Sequence, residues 1–483
     1  MSYCAQAAAY QAALESDVCA HGFAVTRLLR MRLALEIAFA RGAGRLSRLA
    51  GRGGGTTLPG KILATVDPGA LAVLAARLPR GSALVSATNG KTTTAAMVAE
   101  ILRGRVRLAH NRAGANLVSG VTSALLAHEN AELGLFEVDE GAFPDIARRV
   151  RPQAVCLGNL FRDQLDRYGE LELVAEGWRD AVAELDPAAV VVLNADDPLV
   201  ADLGRGRASV LRFGLDDPRV ARERLPHAAD SKYCVLCGTP YEYAAAYVGH
   251  LGDFSCPQCG NARPELDVSA RAVDLTGLER SRFELKTPEG SRSVELTLPG
   301  LYNVYNALAA AGLGLALGAS LDEVADGLGR FKAAFGRFER IPAGDRVVLL
   351  LLVKNPAGGN EVVRTLVAGR TPVHAVVALN DEIADGRDVS WIWDVDFEPL
   401  IEGLERLVAT GSRAQELALR FMYGGLARER IEVIPELARA LDRGLELTPP
   451  GDELVVLPTY TAMLALRRIA AERGLVRPYW EAA

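Results

Sequence analysis

From residue 81 onward, short apolar runs alternate with helical stretches, and this alternation constrains the fold more than any other feature of the chain. Gly81–Ala87 reads as a strand and Thr92–Gly104 as a helix; further buried-strand runs lie at 133–140, 154–160, 190–195 and 209–214. Strands alternating with helices predict a mostly parallel, doubly wound α/β sheet. Residues 228–265 change texture to short hairpins punctuated by Cys and Gly, and residues 304–330 read as two helices. After Arg340 a second series begins, with strands at 346–352, 373–380, 406–411, 430–435 and 453–458, the spacing of a smaller Rossmann-like domain. With 483 residues the chain can support two or three cores. The expected division is an N-terminal extension with a basic helix at 1–55, a central domain at 56–340 with an insert at about 228–265, and a C-terminal domain at 341–483.

The first strand-to-helix turn carries Thr88-Asn89-Gly90-Lys91-Thr92-Thr93. Backbone N–H groups at a helix start, aided by the helix dipole, favour an anion. A Lys there reaches the outer phosphates of a nucleotide, and the next Thr hydroxyl ligates Mg²⁺. Val85 stands where the general phosphate-loop pattern has its first Gly, so the fit is imperfect, but the strand–turn–helix setting favours nucleotide binding over a chance GKT. The four cysteines Cys234, Cys237, Cys256 and Cys259 form two C-x-x-C pairs 18 residues apart, each followed by Gly. Matched knuckles of this kind close a tetrahedron of thiolates on a structural Zn²⁺, with no open position for catalysis. A redox dithiol is the alternative that a second matched pair disfavours.

The wording of the phosphate loop, followed in order by four more segments, resembles the Mur ligase family, whose members join an amine to a carboxylate through an acyl phosphate. Those segments are Phe136-Glu137-Val138-Asp139-Glu140, Leu193-Asn194-Ala195-Asp196-Asp197-Pro198, Pro299–Ala307 and Gly336-Arg337-Phe338-Glu339. The resemblance implies ATP at Thr88, Asn89, Gly90, Lys91, Thr92 and Thr93, with Asn194, Asp197 and Arg337 on the nucleotide, and Mg²⁺ on Thr92 and Glu137. It implies a central phosphate-loop parallel-sheet domain with an inserted zinc ribbon, followed by the Rossmann-like domain. Two departures narrow it. Ala87 replaces the Gly that usually precedes TNGKT. In Asn159–Gly169, Gln164 and Tyr168 stand where the family has His, and no Lys lies between Lys91 and Lys232, which puts the family's second metal in doubt.

The Cys insert, Val353-Lys354-Asn355-Pro356-Ala357-Gly358 and Asn380–Asp394 are similar to those members that amidate a peptidoglycan precursor. The implied reaction is ATP-dependent amidation of the D-glutamate α-carboxylate of the lipid II stem peptide, at the inner face of the cytoplasmic membrane. The implied partner is a GatD-like glutamine amidotransferase subunit, because Cys4, Cys19 and Cys156, the cysteines outside the quartet, lack the setting of a glutaminase nucleophile. In such pairs Asp388 is expected to orient the partner's catalytic His; the plain alternative is a solvated turn residue. Trp391 and Trp393 read equally as an interface anchor or as core. The rival readings are a ligase adding an amino acid, which the KNPAG string and the missing Lys oppose, and a zinc-ribbon scaffold with a nucleotide switch.

A net charge of −6, and only Lys232 and Arg263 as basic residues in 231–263, argue against nucleic acid as a partner. No apolar run reaches the length of a membrane span, no signal peptide opens the chain, and a cytoplasmic protein is expected. Residues 24–52 carry seven Arg among Leu, Ala and Phe. They fit either a solvated helix packed on the first domain or a basic amphipathic helix at an anionic membrane surface. Met31 would serve equally as a start.

Overall fold

The computed structural model describes residues 57–111, 115–163, 170–222, 225, 229–276, 278–332, 337–369 and 374–476, with isolated positions between 32 and 42. The first layer of helices is α1 (Leu58–Val66) and α2 (Ala70–Ala75). The doubly wound part follows as β1 (Ser82–Ser86), α3 (Lys91–Ile101), β2 (Leu108–His110), α4 (Val118–Ala127), β3 (Leu133–Glu137), α5 (Phe143–Val150), β4 (Ala154–Leu157), α6 (Leu171–Glu184), β5 (Val190–Asn194), α7 (Pro198–Asp202) and β6 (Val210–Leu215). The hairpin β7 (Glu242–Val248) and β8 (Leu251–Ser255) is set apart from both large sheets. The meander β9 (Val268–Thr276), β10 (Arg280–Thr287) and β11 (Gly290–Leu296) then leads into α8 (Leu301–Ala316) and α9 (Leu321–Arg330).

Among the described residues the first sheet has nine strands in the order β11-β10-β9-β6-β5-β4-β1-β3-β2, parallel from β2 through β9 and antiparallel in the meander. Strands β1, β3 and β4 are buried along their whole length, as the continuous apolar runs demand, because helices cover both faces. One face packs on α3, α8 and α9, the other on α1, α2, α4, α5 and α6. Strand β1 lies between β3 and β4, so its carboxyl end opens where the winding reverses direction, the place where such sheets bind ligands.

The second unit is a six-stranded sheet, β12 (Arg337–Ala343), β13 (Arg346–Leu351), α10 (Pro356–Gly369), β14 (His374–Ala378), α11 (Glu398–Gly403), β15 (Arg406–Thr410), α12 (Ala414–Tyr423), β16 (Ile431–Val433), α13 (Leu437–Leu447), β17 (Glu453–Pro458) and α14 (Tyr460–Glu472). Its order is β12-β13-β17-β14-β15-β16, all parallel except β12 against β13. The sheet therefore begins at Arg337, and the division expected at residue 340 falls inside β12. Glu339 of the GRFE segment and Arg340 after it pair with Leu350 and Leu349. No helix among the described residues is long and apolar enough to cross a membrane. The Arg-rich stretch 24–52 lies almost wholly outside the described residues, as do Gln164, Tyr168 and Gly336.

Candidate functional site

The turn between β1 and α3 is shaped by what surrounds it. Gly90 caps α3 at φ +90, and a Cβ there would stand 1.9 Å from Asn306 Oδ1, so only glycine fits. Ala87 takes no strained backbone angle, and its methyl group is accommodated because residue 158 is glycine: a Cβ on Gly158 would come within 2.9 Å of it. The loop is laced to the end of β4. Thr88 N donates to Asn159 O (2.8 Å), Asn89 N to Asn159 Oδ1 (2.9 Å), and Asn159 Nδ2 to Asn89 O (3.0 Å). Thr88 Oγ1 is bracketed by the N and O of Phe161. Asn159 was not among the expected nucleotide residues, though its place at the carboxyl end of a strand beside β1 is the signal that marks it.

Lys91 folds back onto its own loop. Its Nζ donates to Ala87 O (2.5 Å) and to Glu140 Oε2 (2.7 Å), with both side chains almost fully buried. Burial pulls the ammonium pKa down, but Glu140, Asp139 and Glu137 outweigh it and hold Lys91 above its ordinary value. Burial likewise pushes the Glu140 carboxyl up, and Lys91 and Lys354 bring it below its ordinary value. Glu137 ends β3 with 3% exposure, and Asn111 clamps its backbone by accepting from Glu137 N (2.9 Å) and donating to Glu137 O (2.7 Å). Thr92 is half-buried at the start of α3 and Thr93 is buried beside it. Carboxylate oxygen near a phosphate loop is the ligand type a hard divalent cation takes, although Glu140 is committed to Lys91 and the three acids do not converge on one point. Glu140, three residues beyond the expected ligand, is the ion-pair partner that sequence reasoning passed over.

The second unit closes over this loop. Lys354 Nζ donates to Thr88 O (3.0 Å) and pairs with Asp163 (2.5 Å), while Asn355 and Asn89 exchange side-chain hydrogen bonds at 3.0 and 3.2 Å. Burial raises the Asp163 carboxyl pKa despite Lys354. Between the units lies an open cleft, with Phe161, Val248, Leu251, Tyr302, Phe338 and Leu351 as apolar walls and Asn89, Asn159 and Asn306 as polar ones. A mostly apolar cleft with a few convergent amides suits a flat heterocycle adjoining the loop.

The remaining expected nucleotide contacts are placed differently. Asn194 is 1% exposed, accepts from Asp196 N, and faces a smaller recess behind the loop with Asn159 and Asn306. Asp197 has no exposure and both oxygens are engaged: Oδ1 caps α7 through Leu199 N and Val200 N, and Oδ2 accepts from Leu160 N, with His250 Nε2 at 3.3 Å. Asp197, expected on the nucleotide, is thus engaged in capping α7 and in holding the Leu160 backbone, and it is not among the residues that line the cleft. Arg337 opens β12, and Glu339, two residues on, pairs with Arg467 of α14.

The four cysteines converge. Their Sγ atoms all lie within 4.8 Å of one another, with Cys234–Cys259 and Cys237–Cys256 each at 3.5 Å. Thiolates about 2.3 Å from a tetrahedral Zn²⁺ stand about 3.8 Å apart, so the cluster fits that ion with little adjustment. The two knuckles repeat the same turn: Gly238 N donates to Cys234 O and Gly260 N to Cys256 O, at φ +74 and +73. Tyr241 and Phe254 pack beneath them.

Asp388 sits on an exposed turn of the second unit. Its Oδ1 accepts from Ser390 N (2.8 Å), which holds the carboxyl below its ordinary pKa and capped in one orientation. Of the two tryptophans, Trp391 is half-buried against the core, whereas Trp393 is 49% exposed and stands edge-on to Tyr423, itself 79% exposed. Arg420 lies over the Trp393 ring.

Residues 85–256 match the sequence profile of the Mur ligase middle domain, and residues 352–463 that of the MurT ligase C-terminal region. The subunit MurT of lipid II isoglutaminyl synthase (glutamine-hydrolyzing) from Streptococcus pneumoniae is 34% identical over 441 residues, covering 89% of this chain and 95% of that protein. The Staphylococcus aureus subunit of the same name is 30% identical, covering 90% and 96%. Among solved structures, a pseudomurein peptide ligase type C from Methanothermus fervidus superposes with a TM-score of 0.66 over 83% of this chain and 80% of that one, at 21% identity.

Proposed function

Because this chain belongs to the MurT branch of the Mur ligase family, and is on that ground an ATP-dependent ligase, we propose that it amidates the α-carboxylate of D-glutamate in the lipid II stem peptide. The γ-phosphoryl group of ATP passes to a carboxylate oxygen, giving an acyl phosphate and ADP. Ammonia attacks the acyl carbon, the C–O bond to phosphate breaks with phosphate as leaving group, a proton is released, and D-isoglutamine remains. The observation that carries the reading is Lys91, parked on Glu140 at the mouth of a phosphate loop that the second unit covers through Lys354 and Asn355. Phosphate oxygens offer Lys91 a stronger partner than one carboxylate, so nucleotide arrival exchanges Glu140 for the outer phosphates. Asn89, Gly90, Thr92 and Thr93 present the helix-start N–H groups, and Asn159 and Asn306 face the base. Thr92 and Glu137 would hold Mg²⁺, which supplies charge neutralisation at the transferring phosphoryl group. Water exclusion by the Lys354–Asp163 contact protects the acyl phosphate from hydrolysis.

A GatD-like glutaminase supplies ammonia, and Asp388 orients its catalytic His. A carboxylate fixed by Ser390 N and kept ionised is suited to hold an imidazole tautomer and to stabilise its charged form. The neighbouring exposed rings of Trp393 and Tyr423 fit the hot-spot chemistry of a protein contact. The four cysteines hold a structural Zn²⁺. The reaction takes place at the inner face of the cytoplasmic membrane, where lipid II is anchored.

The test is reconstitution of the chain with a GatD-like subunit on lipid II, ATP and Mg²⁺, with mass spectrometry following the stem-peptide carboxylate. The expected result is amide from either glutamine or ammonium, and from ammonium alone in an Asp388→Asn complex. Incorporation of a free amino acid with no amide would overturn the assignment.

A further inference from the structure

The cysteine-bearing insert reaches well beyond its own metal cluster. Its hairpin has the cysteines at one end; at the other, the turn Gly249-His250 is driven into the first unit. Gly249 has φ +56, and a Cβ there would stand 2.7 Å from the Phe161 ring. The His250 side chain has no exposure, its ring lies 4.8 Å from that of Phe161, and Nε2 is 3.3 Å from Asp197 Oδ2. Asp197 Oδ2 also accepts from Leu160 N, and the next residue, Phe161, brackets Thr88 Oγ1 with its backbone N and O. A short chain of contacts thus runs from the hairpin tip to the phosphate loop.

On either side of the tip, Val248 and Leu251 form part of the cleft wall. Tyr247 O accepts from Arg364 of α10 (2.9 Å) and from Arg222 (3.3 Å), and Gly252 N donates to Asp196 O (2.9 Å). Both large units therefore grip the tip. Burial opposes an imidazolium at this place, but the Asp197 carboxylate outweighs it and raises the His250 pKa, so charge favours the pair while the ring packs tilted against Phe161. Arg263, a basic residue of the insert, is engaged by Asp196 and Asp253.

We infer that the insert is a structural wall of the nucleotide cleft and that His250 is a positioning residue for the phosphate loop, acting through Asp197 and Phe161 without touching substrate. This rests on the reading of the loop as an ATP site. It gives the cysteine cluster a consequence: the cluster secures the base of the hairpin, and the hairpin tip sets the affinity for nucleotide. His250→Ala removes both the ring that packs against Phe161 and the group facing Asp197. His250→Gln keeps an N–H donor near the position of Nε2.

The experiment uses the full chain in complex with its partner subunit. ATP binding is measured by titration calorimetry, KM is measured separately for ATP and for the lipid acceptor, and metal content is measured by plasma mass spectrometry. His250→Ala is expected to weaken ATP about tenfold or more, since misplacing a binding group by about an ångström has effects of that order or larger. Metal content and acceptor KM stay unchanged, and His250→Gln recovers part of the loss. Leu251→Ala, which trims the wall without touching the buried pair, weakens ATP in the same direction and keeps the idea testable should His250→Ala not fold. Unchanged ATP affinity in His250→Ala or, where that variant does not fold, in Leu251→Ala overturns the inference. So does a loss spread equally over ATP, acceptor and metal. Failure of the unaltered complex to bind ATP at all would instead remove the nucleotide reading, and this inference with it.

Discussion

Replacing Lys91 by methionine keeps the length of the side chain and removes its charge, which isolates the ion pair with Glu140. Both side chains are under 10% exposed and the Nζ–Oε2 distance is 2.7 Å. Taking one partner from a buried pair leaves the other charge uncompensated, at a cost of about 3–5 kcal/mol. Lys354 also lowers the Glu140 carboxyl pKa, which argues for the lower end of that range. For a unit of some 250 residues, about 3 kcal/mol lowers the melting temperature by about 6–12 °C. The loss is also pH-dependent. Without Lys91, burial raises the Glu140 carboxyl above its unfolded pKa, so the folded state binds the extra proton and the deficit grows as pH rises through the carboxylate range. In the unaltered chain the shift is downward, so the Glu140 contribution is present above its unfolded pKa and lost as pH falls. The double variant Lys91→Met/Glu140→Gln removes both charges and is expected to recover most of the melting temperature. Neither variant recovers ADP formation in a single turnover, because the phosphates have lost their cation. A single variant that melts with the unaltered chain, or a double variant that melts as low as the single one, would refute the reasoning.

Four further outcomes are expected. Gly90→Ala imposes a left-handed backbone cost of about 1–2 kcal/mol and drives a Cβ onto Asn306 Oδ1, so KM for ATP rises while KM for the lipid acceptor holds, measured by steady-state kinetics. Asp217, which accepts from Val273 N and Arg219 and has its pKa lowered to about 2, contributes stability above its unfolded pKa that is lost as pH falls toward 2; with Arg219 largely solvated, Asp217→Asn costs about 1 kcal/mol, read in melting curves at pH 7 and absent in strong acid. Cys256→Ser breaks the quartet, and plasma mass spectrometry is expected to find Zn²⁺ with the unaltered chain and none with the variant, which melts at a lower temperature. Trp393→Ala combined with Tyr423→Ala should weaken the partner subunit about thirtyfold or more by interferometry while leaving the chain's own melting temperature almost unmoved, since both rings are largely exposed.

Features with local causes were legible without coordinates. The runs expected at 133–140 and 190–195 emerged as β3 and β5, apolar up to their last residues, Glu137 and Asn194, because a parallel strand covered on both faces buries both sides. The β10 segment carried an equally clear alternation, with Ser281, Phe283, Leu285 and Thr287 turned inward, yet the meander escaped notice for want of turn signals as strong as those of the knuckles. Strand β12 was hidden for a different reason. Arg337–Ala343 has two Arg, a Glu and a Pro, and it is a strand because it pairs along the edge of β13 rather than by its own propensity. What the motif around Asp197 could not show is that its oxygens cap α7 and accept from Leu160 N, since those partners are set by how the β4 end docks beside it.

What the sequence by itself determined is the set of parts whose geometry is closed within a few residues: the glycine-capped phosphate loop at Gly90, the two cysteine knuckles, and the strand–helix rhythm that places both at strand ends. Each depends on backbone angles and hydrogen bonds between near neighbours, so residue type and spacing suffice. Only the tertiary structure decided which of these parts meet. Lys354 reaches Thr88 across 266 residues, Lys91 is held by Glu140, and His250 carries the far end of the cysteine hairpin to Asp197 and Phe161. Such contacts are set by how two sheets and a hairpin dock on common apolar surfaces, and the many ways of burying those surfaces are distinguished by packing in three dimensions, not by distance along the chain.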